Sequence, residues 1–401
     1  MTEVERLCHH RRVRVLIATT ANDGHFGPLT ALTRAFAADG DEVAVAAPAS
    51  FSETVRRAGF AHLPFADAPP ELIGPIMGRL PSLSFDEADT TVIREVFGRV
   101  DAQAALPGLV AAIDEWRPDV VVREPAEFGS LAAAERAGVP HVHVTIGMLE
   151  MSRHLLDLAT EPLAELAVLG GLPRHRLVAA AAAEPVFSLV PETLDRAGDA
   201  DYDGSSVTFR FRDEPGDDAA EPLPSWGDRH DPLVYVTFGT VAGSLPPFVG
   251  VFREALDGLA DLPVRVLMTV GRRFDIAGLG TLPPNASVLP WWPQRAILAE
   301  AAVVWGHGGF GTTMGAAAAA VPQLITPLFT SDQRINARHL AAAGAGLAFG
   351  PGPDALTEAC GALPGLLGDA GTHAAAAQLA ADIAALPAPA TAAGAIRQLI
   401  F

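Results

Sequence analysis

Three segments in chain order decide how this sequence is read: Trp291-Trp292-Pro293-Gln294, then His307-Gly308-Gly309-Phe310-Gly311-Thr312, then Asp332-Gln333. The first offers a flat aromatic surface, the second a glycine-rich turn opening a helix, and the third a carboxylate beside an amide. A nucleoside diphosphate sugar presents the matching features in the same order: a base to stack, phosphates to cradle and sugar hydroxyls to hold. Each segment alone has an ordinary explanation. A glycine turn is equally a tight strand-to-helix connection, a tryptophan is equally a core residue, and an Asp-Gln pair is equally a helix cap. It is the ordered set that points to a ligand.

The chemistry of the middle segment is specific. Trp305 ends a strand, and Gly306 to Gly309 turn the chain into a helix beginning near Gly311. Glycines let the backbone approach an anion, and the free N–H groups at a helix start carry partial positive charge. His307 and Thr312 can add an imidazole N–H and a hydroxyl. A second glycine turn, Phe238-Gly239-Thr240, follows the first strand of the same half and points at the same cleft.

Outward from these segments, β-rich runs alternate with Ala/Leu-rich helical stretches, the pattern of parallel sheets covered by helices. The fold class is α/β. Strands are expected at Val13–Ala18, Val43–Ala47, Asp119–Val122 and His141–Thr145, with helices at about Pro28–Ala38 and Gly129–Ala137. Asp, Glu, Pro and Gly crowd together between Arg212 and Asp231 without apolar periodicity, a linker composition. Alternation restarts with Leu233–Phe238, Val264–Val270, Ala286–Leu289, Ala302–Trp305 and Gln323–Thr326. The expected organisation is an N-terminal domain (1–211), a linker (212–230), a C-terminal domain (231–388) and a terminal helix (389–401) crossing back to brace the first half. Two doubly wound halves of this kind place a ligand cleft between them, at the carboxyl ends of both sheets.

Length and composition agree. A chain of 401 residues, 49% hydrophobic, has material for two large cores. The net charge of −19 argues against a nucleic-acid partner, whose phosphates need a basic face. It also requires that an anionic diphosphate be held by oriented N–H groups and neutral donors. No apolar run has the length of a membrane span, and Val13–Ala18 is too short for a signal-peptide core. Cys8 and Cys360, at opposite ends of the chain, read as free thiols of a cytoplasmic protein. The histidines are scattered without ligand spacing, so no metal is expected. Association into a homodimer is compatible with the sequence.

In the first half the loop Thr19 to Pro28 joins the first strand to the first helix. Pro28 suits the first helical turn, which sets His25 at the carboxyl end of the strand, at the mouth of the cleft. A loop histidine is usually just solvated. Here it is placed to take a proton from an acceptor hydroxyl, and it works best when a carboxylate fixes its tautomer. The candidate is Glu124 in Arg123-Glu124-Pro125, at the end of another strand. Glu127 competes, although a carboxylate there is equally explained by the positive end of the following helix. Phe85 and Phe97, in the segment from about Pro64 to Val100, and Met148 and Met151, in Ile146 to Leu172, are candidates to line an apolar acceptor pocket.

Taken together, the chain resembles the antibiotic-type glycosyltransferases of the UDP-glycosyltransferase superfamily, most specifically from Trp291 to Asn336. The resemblance is strongest to actinobacterial enzymes that attach deoxysugars to polyketides and other natural products. It implies a GT-B fold, two Rossmann-like domains facing across a cleft, and inversion at the anomeric carbon without a metal. It implies that Trp291 stacks on the base and that Trp292 binds through its backbone. Gly239, Thr240 and Gln294 join the donor site, and His307, Gly308, Gly309, Gly311 and Thr312 hold the diphosphate. Asp332 and Gln333 hold the sugar. His25, in His-x-x-Pro, matches the family's general base, and Glu124 a position that is often acidic.

One departure bears on the donor. Relatives that use UDP-glucose carry a glutamate for the ribose hydroxyls eight residues after the histidine matching His307, and here that position is Gly315. A thymidine diphosphate (dTDP) sugar, commonly a deoxysugar, is therefore the expected donor, unless Gly315 serves only close helix packing. The implied partners are a dTDP-sugar and a hydrophobic aglycone. A nucleotide-sugar epimerase of the same fold, or an inactive homologue that binds a sugar nucleotide or activates a partner, are the alternatives.

Overall fold

A computed structural model describes residues 12–202, 208–214, 222–243, 248–350, 352 and 354–400, without the side chains of Thr240 and Val241. The expectations for Thr240 and Cys8 fall outside this set. In the first half β1 (Arg14–Ala18), β2 (Glu42–Pro48), β3 (Ala61–Phe65), β4 (Val120–Arg123), β5 (His141–Val144), β6 (Val186–Ser188) and β7 (Thr208–Arg210) form one parallel sheet in the order β3-β2-β1-β4-β5-β6-β7. In the second, β8 (Leu233–Thr237), β9 (Arg265–Thr269), β10 (Ala286–Leu289), β11 (Ala301–Gly306), β12 (Gln323–Ile325) and β13 (Gly346–Ala348) order as β10-β9-β8-β11-β12-β13. The central strands are covered on both faces, and Val15, Leu16, Ile17 and Val120–Val122 are completely buried. That is why they read as unbroken apolar runs.

Each sheet reverses its order once, between β1 and β4 and between β8 and β11. The helices on either side diverge at such a point, and the loops leaving the two strands share a crevice. The pairings Ala18 with Arg123 and Thr237 with Gly306 fix the chain at each crevice. Residues 19–25 and 124–127 are thereby brought together in one half, and 238–239 and 307–309 in the other.

Strands β3, β6, β7 and β13 lie outside the sequence expectations. The last three have three residues each, too few to show a period. Strand β3 contains Pro64, which an edge strand tolerates because one side needs no ladder bond. The first helix also departs from expectation. It runs Asp23–Ala38, with the Asn22 side chain accepting from Gly24 N at 2.8 Å. The local cap decides the start, so Pro28 sits inside the helix, at the cost of one backbone bond, and His25 occupies the first turn. Residues Val92–Asp101 form a π-helix between the helices Phe85–Thr91 and Ala102–Trp116. This composite has the length and hydropathy of a membrane span. It nonetheless carries Asp86, Glu87, Asp89, Arg94, Glu95, Arg99 and Asp101, and it buries Ala105, Leu109 and Ile113 in the core of the first half.

The two halves share an apolar cluster. It runs from Val15, Leu29 and Phe36 through Phe310, Ile325 and Ile335 to Leu379 and Ile396. The last helix, Pro389–Ile400, lies against Asp23–Ala38, where Arg397 reaches Asp41 at 3.0 Å and Asp39 at 2.9 Å. Arg212, at the start of the linker, donates to Leu386 O at 2.8 Å. Arg397→Ala strips both aspartates of their partner and should lower the unfolding free energy by about 3 kcal/mol, read as a lower urea midpoint at unchanged slope.

Candidate functional site

His25 stands at the crevice of the first sheet. Its Nδ1 lies 3.1 Å from Glu124 Oε1 and 3.0 Å from Thr20 Oγ1. Glu124 is fully buried, and its two oxygens accept from Thr20 N at 3.2 Å and Ala126 N at 2.6 Å. The Nε2 of His25 has no partner among the described residues, and the side chain is 16% exposed, so this nitrogen is the one left to meet a substrate. Burial disfavours charge on His25, but the charge and hydrogen bond of Glu124 outweigh it and hold the imidazole above its ordinary pKa. Burial likewise opposes charge on Glu124, yet His25 and the two N–H donors keep it below the usual carboxylate range.

Glu127 is elsewhere engaged. It caps the helix Phe128–Ala137, accepting from Gly129 N at 3.0 Å and Ser130 N at 2.8 Å, and burial pushes its carboxyl up to about 7. The Glu124 loop is held by a residue that sequence reasoning passed over. Arg123, buried, donates to the carbonyls of Glu124, Pro125 and Glu127 at 3.2 Å each and to Glu184 at 2.7 Å. Glu184 also meets His141 Nδ1 at 2.6 Å and His143 Nδ1 at 3.2 Å. The signal was Arg123 itself, a charge at the end of an otherwise apolar strand.

Beside His25 lies Phe97, ring centroids 5.6 Å apart. One helical turn on, burial and the charge of Glu124 push Asp101 up to about 6. Phe85, of the first half, packs against the second half under the guanidinium of Arg334. Met151 is partly buried between the two cores of the first half. Met148 is completely buried, so it belongs to the core and does not line a pocket: the strand-to-helix connection turns its side chain inward.

In the second half the phosphate segment is built by close approach. Gly308 has φ +90°, and a Cβ there would fall 2.7 Å from Gln333 O. Cβ atoms at Gly239 and Gly309 would fall 2.7 and 2.6 Å from His307 Nε2. The two glycine turns therefore close on the imidazole from both sides, as only glycine permits. His307 is buried, its Nδ1 has no hydrogen-bond partner among the described residues, and desolvation lowers its pKa to about 4. It is a neutral group at pH 7. Thr312, in the first turn of the helix Phe310–Ala318, accepts from Gln294 Nε2 at 3.0 Å. Gly311 is exposed at the helix start. A Cβ at Gly315 would lie 3.1 Å from Gln294 Oε1 and 3.3 Å from Leu298. Glycine there lets the helix Gln294–Leu298 pack closely, and the Gln294 amide fills the space a longer side chain would take.

Trp291 is 47% exposed, with the Arg272 guanidinium 4.4 Å from its ring centroid. Trp292 packs its side chain inward against Leu233, Tyr235 and Ile297. Gln333 is buried, its Oε1 accepting from Leu328 N at 2.7 Å and Phe329 N at 3.1 Å. Asp332 is half-buried; desolvation raises its carboxyl, while the nearby His25 charge across the cleft pulls the other way. Along the sheet edge Trp291 follows β10, Gly239 follows β8, His307 follows β11 and Asp332 follows β12. The three segments singled out in the sequence are thus spread in order over four strand spacings of ~4.8 Å, ~19 Å in all. Among the described residues no group of three or more His, Cys, Asp or Glu is placed to hold a metal ion.

Two parallel sheets with their carboxyl ends on one cleft form the GT-B architecture of glycosyltransferases. The glycosyltransferase VinC, solved in complex with dTDP, superposes with a TM-score of 0.76 at 23% identity over 96% of this chain and 99% of its own. Residues 34–166 match the family described as erythromycin biosynthesis protein CIII-like, N-terminal domain, and residues 253–399 match its C-terminal domain. The L-demethylnoviosyl transferase of Streptomyces niveus is 33% identical over 94% of this chain and 96% of its own length. The elloramycin glycosyltransferase ElmGT of Streptomyces olivaceus is 31% identical over 94% and 95%. The chain belongs to this erythromycin biosynthesis protein CIII-like family of natural-product glycosyltransferases.

The hold of Glu124 on His25 can be read directly. With the His25 pKa raised and that of Glu124 lowered, the ion pair is complete below the ordinary histidine pKa while Glu124 stays ionised, and is lost as pH rises through the raised value. In Glu124→Gln burial acts unopposed, so an NMR titration should find His25 losing its proton at lower pH than in the wild type. Equal titration of the two proteins would mean that Glu124 does not govern the imidazole.

Proposed function

We propose that this protein is an inverting glycosyltransferase that moves a deoxysugar from a dTDP-sugar to a hydroxyl of a hydrophobic, polyketide-like aglycone. The observation that carries the reading is the His25–Glu124 pair, held at one sheet's crevice and facing Asp332 across the cleft. The acceptor hydroxyl gives its proton to His25 Nε2 as its oxygen attacks the anomeric carbon from the side opposite the diphosphate. The bond from the anomeric carbon to the diphosphate oxygen breaks, dTDP leaves, and the configuration inverts. Glu124 keeps the second imidazole nitrogen protonated and stabilises the imidazolium.

The leaving diphosphate gains its negative charge at the Gly308–Thr312 turn, where helix N–H groups, the Thr312 hydroxyl and a neutral His307 supply donors, so the reading needs no metal. Trp291 offers its open face to the base. Asp332 and Gln333 hold sugar hydroxyls, and Phe97 and Met151 contribute to the acceptor side. The L-demethylnoviosyl transferase and the VinC–dTDP complex support a dTDP-linked deoxysugar.

Mass spectrometry after incubation with a dTDP-sugar, with and without a hydrophobic hydroxylated acceptor, tests the reaction; an acceptor heavier by one sugar is expected. In the same assay His25→Ala should lower transfer by about 10²- to 10⁴-fold, with dTDP affinity close to that of the wild type. Retention of more than a third of the wild-type rate would remove His25 as base.

The base preference has its own test. Gly315 offers no carboxylate to a ribose 2′-hydroxyl, and the neutral amide of Gln294, already bound to Thr312, stands in the space instead; a hydroxyl left without its charged acceptor costs about 1–3 kcal/mol. Calorimetric titration should therefore find dTDP binding more tightly than UDP, and equal or tighter UDP binding would sink the dTDP assignment.

A further inference from the structure

We propose that Asp89, reaching across from the first half, positions the Asp332–Gln333 pair, so that the sugar subsite is complete only when the two halves are closed on each other. This rests on the donor reading above and adds to it a residue from the opposite domain. The helix Phe85–Thr91 starts at a capping box, Ser84 N donating to Glu87 Oε2 at 2.9 Å and Glu87 N to Ser84 Oγ at 3.4 Å. That fixes the helix and, one turn in, Asp89. Residues 85 and 89 fall on the same face. Both meet the helix Ser331–Ala342 of the second half: Phe85 lies under Arg334, and Asp89 Oδ1 accepts from Ser331 N at 3.2 Å.

Ser331 is the first residue of that helix. Thr330 before it, of a type that ordinarily caps, makes no side-chain bond to a first-turn N–H, and its hydroxyl meets the Asp332 carboxylate instead. The N–H that a local cap leaves unused is thus taken by a carboxylate 242 residues away. The other oxygen of Asp89 meets His154 Nε2 at 2.8 Å, which anchors the carboxylate to the helix Leu149–Leu169. Burial opposes charge on Asp89, but His154 and Ser331 outweigh it and keep the group ionised. Gln333 is already pinned from its own side by Leu328 and Phe329. The start of the helix that carries Asp332 is held in addition from the first half. A sugar subsite assembled this way forms as the cleft closes, which brings the anomeric carbon under His25 and excludes water at the same moment.

The test compares dTDP with dTDP-glucose by calorimetry on the full chain. The difference between them is the contribution of the sugar. Asp89→Ala removes the acceptor. Ser331→Pro removes both groups that Ser331 gives to Asp89, its N–H and its hydroxyl, since proline suits the first position of a helix and the extended Thr330 before it (φ −135°, ψ 152°) accepts a following proline. Both variants should bind dTDP within about twofold of the wild type and lose about tenfold on dTDP-glucose, the size of one charge-assisted hydrogen bond. Asp89→Asn keeps an acceptor oxygen and should recover most of that loss at an unchanged melting temperature.

An unchanged preference for dTDP-glucose in both Asp89→Ala and Ser331→Pro overturns the inference and leaves the donor reading intact. Equal losses on dTDP and dTDP-glucose overturn it as well, because the residue would then support the nucleotide site or the fold at large. Wild-type protein that gains nothing from the glucosyl group also overturns it. Wild-type protein that binds neither ligand removes the donor reading, and the inference with it.

Discussion

The register of two strand pairs carries the rest of the structure. Ala18 beside Arg123 and Thr237 beside Gly306 stand where each parallel sheet reverses its order. A parallel ladder leaves little freedom in where the chain emerges, because a slip of one residue would exchange the side chains packed into the two close-packed cores on either face. With the register fixed, Glu124 emerges beside the turn that carries His25, and His307 emerges beside Gly239. Neither pair is close in sequence. The His25–Glu124 pair and the glycine turn at His307 are the same architectural event, occurring once in each half.

The halves are bound to each other by two kinds of contact. A continuous apolar cluster and the helix Pro389–Ile400 tie them together, with Arg397 locked between Asp39 and Asp41. Other ties are polar: Glu150 to His339 at 2.9 Å, Thr193 to Asp382 at 2.7 Å, and Asp89 to Ser331. Apolar burial is indifferent to small sliding, whereas hydrogen bonds are directional. The first kind of contact holds the halves together, and the second fixes how one is turned on the other.

Much of this was legible in the sequence where a signal is local or periodic. The runs Val13–Ala18, Leu233–Phe238 and Ala302–Trp305 announced buried parallel strands, and the glycines around His307 announced a turn too tight for side chains. What sequence could not supply was of two kinds. Elements of three residues, such as Val186–Ser188, are defined by their neighbour in the sheet and carry no period of their own. Contacts between the halves join residues far apart in the chain, and nothing about Asp89 or His154 distinguishes them from solvated charges until the halves are docked. The start of the first helix is a third case, in which Asn22 and Pro28 send competing local signals and the cap prevails. Glu127 shows the same physics in reverse, since its carboxylate is consumed by the helix it starts.

Because that helix begins at Asp23, His25 sits among backbone N–H groups that have no carbonyl partner within the helix. Their combined field is positive and opposes a cation in the first turn by about 0.3–1 kcal/mol. Glu124 draws a proton onto the imidazole, and the helix end urges it off. In the proposed reaction each cycle ends with a protonated base that must be emptied before another acceptor can react. The helix that carries His25 thus favours the return of the base to its neutral form, so the turn that places the residue also helps to reset it.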